Sequence, residues 1–258
     1  MKKIVSVVIL CAVTLMSLAG CKGTTQTEKK GSVQAIKDKG EITMLTNAAF
    51  PPFEYVENNK VVGVDADIAQ MIADELGVKL KITNMDFDPI VNYIQSGKGD
   101  FAAAGMSITP ERLENVDMSI EYTTSTQYII VRKGTDIKNF DPNGKIVGVQ
   151  QGTTGDFAYA SDEKVMKVKE VKRFKSAIDA ANDLKLNRLD CVIVDELPAK
   201  KIVEQNSADL ECYDPKYDPE SYAIAVKKGN TELLEVINKV LKKAVDEGKV
   251  KELVVKHS

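Results

Sequence analysis

The stretch Gly105-Met-Ser-Ile-Thr-Pro-Glu-Arg112 decides the fold. It follows the apolar run Phe101-Ala-Ala-Ala104, which reads as a short buried strand entered from Gly99-Asp100. Thr109 suits a helix N-cap, Pro110 the first helical position, and Glu111 the positive end of the helix dipole. A strand that ends in a loop opening a helix gathers unpaired backbone N–H groups, and these attract an anion. Arg112, in the first turn, adds a planar fork that can grip a carboxylate through two parallel hydrogen bonds. Taken alone, the same residues also describe a well-capped surface helix with a solvated arginine. The flanking sequence has to decide.

Towards the N-terminus, residues 41–46 form a strand that runs into Asn47-Ala-Ala-Phe-Pro-Pro-Phe-Glu-Tyr55. The two prolines are expected to hold this loop extended, with Phe50 and Phe53 on either side. Residues 55–64 read as a hairpin turning at Asn58-Asn59. Asp67 is expected to cap a helix carrying Ile68, Met71, Ile72 and Leu76 on one face, and Gly77 to end it. A strand over 79–83, a helix from Asp88-Pro89 to Gly97 and the strand at 101–104 complete a β-α-β-α-β unit. That is an α/β lobe with a largely parallel sheet.

The theme repeats downstream. Strands are expected at 128–131, 145–150, 165–171, 191–194 and 210–213, with helices from about Asp156, over 176–186 and over about 198–205. A strand over 222–226 follows. The helix over 231–245 presents Leu233, Leu234, Ile237, Leu241 and Val245 on one face, and Gly248 breaks it before a last short helix. Two lobes of this kind place loops and strand carboxyl ends at facing edges, where ligands of open α/β sheets bind.

Composition sets the class. Of 258 residues, 43% are hydrophobic and 28% charged, as in an ordinary globular protein. The net charge is −3 with both signs interspersed, so nothing points to nucleic acid. The single histidine, His257, sits in what reads as a mobile tail and is a poor catalyst or metal ligand. Met1-Lys-Lys3 followed by an apolar run to Leu18 is a signal peptide, too short to span a bilayer comfortably. It ends in Leu18-Ala-Gly-Cys21, the lipobox pattern of bacterial lipoproteins, in which the chain is cut before the cysteine and the thiol is lipidated. Residues 1–20 are thus a signal peptide, Cys21 the lipidation site, and 21–32 a flexible tether reaching ~20 Å. Cys191 and Cys212 remain; a disulfide between them is conceivable, and two buried thiols are the favoured reading. No C-x-x-C spacing suggests a metal site.

The motif Gly148-Val-Gln-Gln-Gly152-Thr-Thr-Gly155 fails as a nucleotide loop. Gln150 stands where a dinucleotide-binding turn needs glycine, and Asp-Phe follows Gly155 where a phosphate loop needs Lys-Ser/Thr. What remains is a glycine turn at a helix N-terminus, with Thr153 and Thr154 available to a small anion or simply capping the turn. Asp195, at the end of an apolar strand, has the place and sign to hold an ammonium group, or else caps the next helix. Phe50 is the aromatic most apt to face a ligand.

Together, Asn47-Ala-Ala-Phe-Pro-Pro-Phe-Glu-Tyr, Gly63-Val-Asp-Ala-Asp-Ile-Ala, Ala104-Gly-Met-Ser-Ile-Thr-Pro-Glu-Arg, Val149-Gln-Gln-Gly-Thr-Thr-Gly and Val194-Asp-Glu-Leu-Pro-Ala resemble the extracellular solute-binding proteins of polar amino acid ABC importers. The resemblance implies an α/β fold of two Rossmann-like lobes joined by two hinge strands, the type 2 periplasmic-binding-protein or Venus-flytrap arrangement. It implies residues 33–121 and 223–258 as the first lobe, 127–217 as the second, and 122–126 and 218–222 as the hinges. It also implies that Arg112, Ser107 and the backbone at Ala104 and Gly105 clamp the ligand α-carboxylate, with Thr153 and Thr154 meeting it from the second lobe. Asp195 would hold the α-ammonium, helped by the Gly105 carbonyl. Phe50 and Phe87 would wall the side chain, and Asn47 and Gln150 would vary with the ligand. No cofactor, metal or catalytic residue is implied. The partners are a free L-amino acid and a membrane permease, with a lipid-anchored monomer as the expected state. Asn47 stands where basic-amino-acid binders often carry an acid, which favours a neutral polar ligand such as glutamine or cystine. Glu54 or Asp86 substituting for that acid would instead admit arginine or lysine. The rival from another class is a cyclohexadienyl dehydratase-like enzyme on the same scaffold, which needs a general acid in the cleft.

Overall fold

The computed structural model describes residues 32–258. The expected signal peptide, the expected lipidation site Cys21 and all of the expected tether but Ser32 lie outside the described residues. Ser32 itself opens a helix, Ser32–Lys39.

Two five-stranded sheets carry the fold. In the first, Lys79–Asn84, Glu41–Thr46 and Phe101–Ala102 run parallel, as the β-α-β-α-β pattern requires. Ala225–Lys227 then inserts antiparallel between Phe101–Ala102 and Val116–Met118. The second sheet repeats this order. Glu170–Phe174, Ile146–Gln150 and Cys191–Asp195 are parallel, and Gln127–Arg132 lies antiparallel between Cys191–Asp195 and Leu210–Tyr213. Cys191–Asp195 is buried along its whole length, as suits a central strand covered on both faces.

The chain passes between the sheets twice, and the two crossings pair with each other. Thr123–Ser125 leads out of the first sheet, and Glu220–Tyr222 returns to it antiparallel, with Tyr222 opposite Thr123. Tyr222 also bridges Ser107, so the returning crossing lies directly beside the loop that carries the arginine.

The N-terminus of helix Val64–Leu76 is satisfied differently from expectation. Asp67 is not its cap: Gly63 holds the cap position and no side chain caps it. The amides of Val64 and Asp65 instead donate to the carbonyls of Pro52 and Phe53, at 3.1 and 2.9 Å. Nor is the diproline loop extended. Pro51-Pro52 is a cis peptide, and Phe53 N–H closes a tight turn onto the Phe50 carbonyl at 3.0 Å. That turn buries Phe53 against Tyr222, edge to face, with ring centroids 5.1 Å apart. Loop, helix and crossing strand thereby become one packed unit.

Other elements depart in smaller ways. The strand expected over 165–171 forms at Glu170–Phe174, because residues 162–165 make a turn, Val165 N–H bonding to Asp162. Helix Thr231–Asp246 buries Leu233, Ile237, Val240, Leu241 and Ala244. Leu234 is only partly buried and Val245 is exposed. The last helix, Lys249–His257, is docked rather than mobile, with the His257 ring 2.9 Å from Asp67 and 3.2 Å from the Tyr55 hydroxyl. Cys191 and Cys212 are free thiols. Their strands are separated by Gln127–Arg132, which puts them two strand spacings, roughly 10 Å, apart, beyond the reach of a disulfide.

Gly63 offers a test of the loop–helix unit. It sits at φ 126°, and an added Cβ would lie 2.2 Å from the Phe53 carbonyl oxygen. Gly63→Ala is expected to destabilise the protein by more than about 3 kcal/mol in denaturant unfolding, because the obstacle is backbone that holds the helix start.

Candidate binding cleft

The arginine loop forms as its sequence dictates. The Thr109 hydroxyl accepts from Arg112 N–H at 3.3 Å, and Pro110 opens the short helix Pro110–Asn115. That geometry turns Arg112 inward, leaving it 6% exposed rather than solvated. Its guanidinium donates to the Ser107 carbonyl at 2.7 Å and to the Gly152 carbonyl at 3.1 Å, touching both halves of the molecule. The rings of Phe87 and Phe157 lie 5.4 and 5.6 Å away, within range for cation–π attraction. Burial lowers its pKa to about 10, while Glu220 and Asp195 favour the charged form, so it stays a cation at neutral pH.

Asp195 ends its strand just before helix Glu196–Gln205 but makes no capping bond. Its carboxylate instead accepts from the Tyr222 hydroxyl at 2.5 Å. Burial, reinforced by the charge of Glu220, pushes its pKa up to about 6 against the opposing bond from Tyr222.

All eleven residues expected to meet a ligand, from Asn47 to Asp195, line one cavity. The structure refines what several of them do. Gln150 donates to Asn47 at 2.9 Å across the cleft, and Asn47 donates onward to the Met85 carbonyl at 2.7 Å. The Thr153 hydroxyl is engaged within its own turn, donating to the Gln150 carbonyl at 2.8 Å. The Gly105 N–H is likewise occupied, donating to Asp65 at 2.8 Å, so it is not an open anion donor. Gly105 sits at φ 53°, where a Cβ would come 2.7 Å from the Phe50 ring; the bare backbone lets that ring lie against it. Ser107 and Thr154 both donate to Glu220, each at 2.6 Å. Asp86 lies outside this cavity, paired with Lys175 at 2.9 Å on an exposed edge.

Glu54 is the twelfth lining residue. It is fully buried, and no donor group reaches either of its oxygens. Burial raises its pKa well above the usual range, and the charge of adjacent Asp65 raises it further. Asp65 is itself pushed up to about 6 by burial, although bonds from Gly105 and Tyr122 oppose this. Glu54 and Asp65 thus form a buried acid pair that a nearby cation would help to ionise.

Four partners were invisible as site residues in the local sequence: Asp65, Phe157, Glu220 and Tyr222. Only one left a signal, since Asp65 is an acid on the apolar start of a helix. Glu220 and Tyr222 reach the cleft from a crossing strand more than a hundred residues beyond the arginine loop.

The family model for bacterial extracellular solute-binding proteins, family 3, matches residues 42–258. The arginine-binding extracellular protein ArtP of Bacillus subtilis (strain 168) is 30% identical over 259 residues, covering 98% of this chain and 96% of its own. Among solved structures, a mutant of ArgBP from T. maritima aligns with TM-score 0.80 at 40% identity, over 87% of this chain and 97% of that one. AbpA from Streptococcus pneumoniae, bound to L-arginine, aligns with TM-score 0.79 at 33% identity, over 87% and 97%. Other relatives are named for histidine and for cystine, and one solved neighbour is described as an ancestral amino acid-binding precursor of cyclohexadienyl dehydratase. The chain belongs to the family 3 bacterial extracellular solute-binding proteins, with the type 2 periplasmic-binding-protein fold. It is a solute-binding component of amino acid ABC transport, acting outside the cytoplasm.

The buried acid at Asp195 predicts a separation of stability from binding. A carboxyl whose folded pKa is raised contributes its stability below the unfolded value, near 4, and loses it as pH rises through about 6. Asp195→Asn keeps an acceptor for Tyr222 without the charge. Its melting temperature without amino acid is expected to exceed wild type at pH 7.5, the gap closing by pH 4, while amino acid binding is lost.

Proposed function

We propose that this protein captures a free L-amino acid with a cationic side chain, arginine first, and delivers it to a membrane permease. Glu54 carries the proposal: a fully buried carboxyl on the cavity wall whose oxygens receive no donor. Such a group is costly unless something completes its hydrogen bonding. Of the residues lining the cavity, Glu54 and Asp195 are the acids and Arg112 the cation. A ligand bringing two positive charges and one negative balances that set better than a neutral zwitterion does. The arginine-bound relatives support the same reading.

In this scheme Arg112 grips the α-carboxylate from the first lobe and Asp195 the α-ammonium from the second. Phe50 and Phe87 flank the side chain, and Glu54 meets its far end. Because its charged groups engage residues of both lobes, the ligand favours the closed arrangement, with the paired crossings as hinge. Closure excludes water and strengthens the ionic hydrogen bonds. Binding without turnover suffices for this role. Lipidation at Cys21 would keep the protein, as a monomer, beside its permease. A second reading, a neutral polar ligand such as glutamine or cystine, is favoured by the Asn47–Gln150 amide pair across the cleft.

Calorimetry on protein stripped of ligand distinguishes these. Arginine is expected to bind at least about 100-fold tighter than glutamine, and Glu54→Gln to lose most of that preference, as for a buried charge pair deprived of one partner. Arg112→Ala should abolish binding of both. Glutamine or cystine binding tighter than arginine would reverse the assignment.

A further inference from the structure

Glu220 has no part in the scheme above, yet its position is unusual. It lies on the returning crossing, Glu220–Tyr222, between the two sheets. One of its oxygens accepts two hydroxyl hydrogen bonds at once, from Ser107 beside the arginine loop and from Thr154 in the glycine turn, both at 2.6 Å. Ser107 follows the first sheet's Phe101–Ala102, and Thr154 follows the second sheet's Ile146–Gln150. The other Glu220 oxygen is buried without a donor. A carboxylate held at that cost is retained for what its bonded oxygen does.

The bonding fixes proton directions. A hydroxyl has one proton, and a carboxylate only accepts. Thr154 also receives the Gln127 side-chain amide at 3.2 Å, so its own proton is directed to Glu220. Ile108 N–H donates to the Ser221 carbonyl at 2.9 Å, which anchors the Ser107 segment to the same crossing. Of Glu220's two hydroxyl partners, only Thr154 comes from the second lobe, so this bond ties the glycine turn to the crossing and the arginine loop.

We propose that Glu220 is a positioning residue for capture. From the crossing strand it draws the Ser107 and Thr154 hydroxyls onto one oxygen, and so locks the arginine loop against the glycine turn when the lobes are closed. This role rests on the amino acid reading above. It requires the ligand carboxylate to be held by Arg112 and backbone amides, because both hydroxyl protons are already committed. It also makes release, rather than encounter, the step that depends on Glu220.

Stopped-flow and calorimetric measurements with L-arginine test it on Glu220→Ala, Glu220→Gln, Thr154→Val and the Glu220→Ala/Thr154→Val double variant. Glu220→Ala is expected to release arginine at least about tenfold faster, the equivalent of one charge-assisted hydrogen bond, with association little changed. Glu220→Gln keeps one acceptor oxygen and should recover part of the loss. The double variant should be no worse than the more impaired single variant, since Thr154 acts through Glu220. Unchanged release in Glu220→Ala, or losses that add in the double variant, overturns this role while arginine binding by wild type upholds the proposed function. A wild-type protein that ignores arginine overturns the proposed ligand, and this role with it. Should Glu220→Ala fail to fold, the Gln and Val variants carry the same comparison.

Discussion

A guanidinium removed from water and shared between two halves of the molecule is the constraint on which the rest depends. Arg112 is buried, charged, and donates to a carbonyl from each side of the cleft. An ion in that position demands acceptors and nearby negative charge. The structure supplies both: main-chain oxygens at Ser107 and Gly152, carboxylates at Glu220 and Asp195, and aromatic faces at Phe87 and Phe157. The loops bearing these groups are short and leave the ends of buried parallel strands. Rigid sheets therefore determine where the charges sit, and the paired crossings join the two sets.

The acids around the arginine form a second tier with an opposite tendency. Asp65 and Asp195 are both raised to about 6 by burial, and Glu54 is raised further. Each ionises at the expense of the fold and is bonded by a tyrosine or an amide that limits the expense, except Glu54, which has no such partner. The crossing strand supplies much of this support, since Tyr222 bonds Asp195 and also packs edge-on against Phe53. Residues that connect the lobes thus also set the electrostatics of the cleft.

The supersecondary pattern was legible because it depends on local chemistry. Thr109-Pro110 starts its helix where the sequence places it, and Gly77 ends another in the left-handed conformation that glycine favours. The arginine and the aspartate were legible too, standing at strand ends where such groups face a cleft. Tertiary preference overrode local chemistry elsewhere. Asp67 looked like a cap, but two carbonyls from the diproline turn reached the helix first. His257 looked like a tail residue, but a docked terminal helix brings it to Asp67. Glu220 and Tyr222 lie in the stretch that the resemblance marks only as a hinge strand; their contacts arise because the chain crosses back beside the arginine loop. Glu54 and Asp86 were equally able in sequence to replace the acid missing at Asn47, and only burial separates them.

The position of Ala225–Lys227 has a consequence for how such a chain can be assembled. The second sheet draws all its strands from one uninterrupted span, 127–213, and can be completed as soon as that span is available. The first sheet waits for its fourth strand until nearly the end of the polypeptide. A nascent or truncated chain stopping before Ala225 has no strand to place between Phe101–Ala102 and Val116–Met118, and so leaves two open edges beneath the arginine loop. Such a fragment holds every strand of the second sheet and only four of the five that make the first.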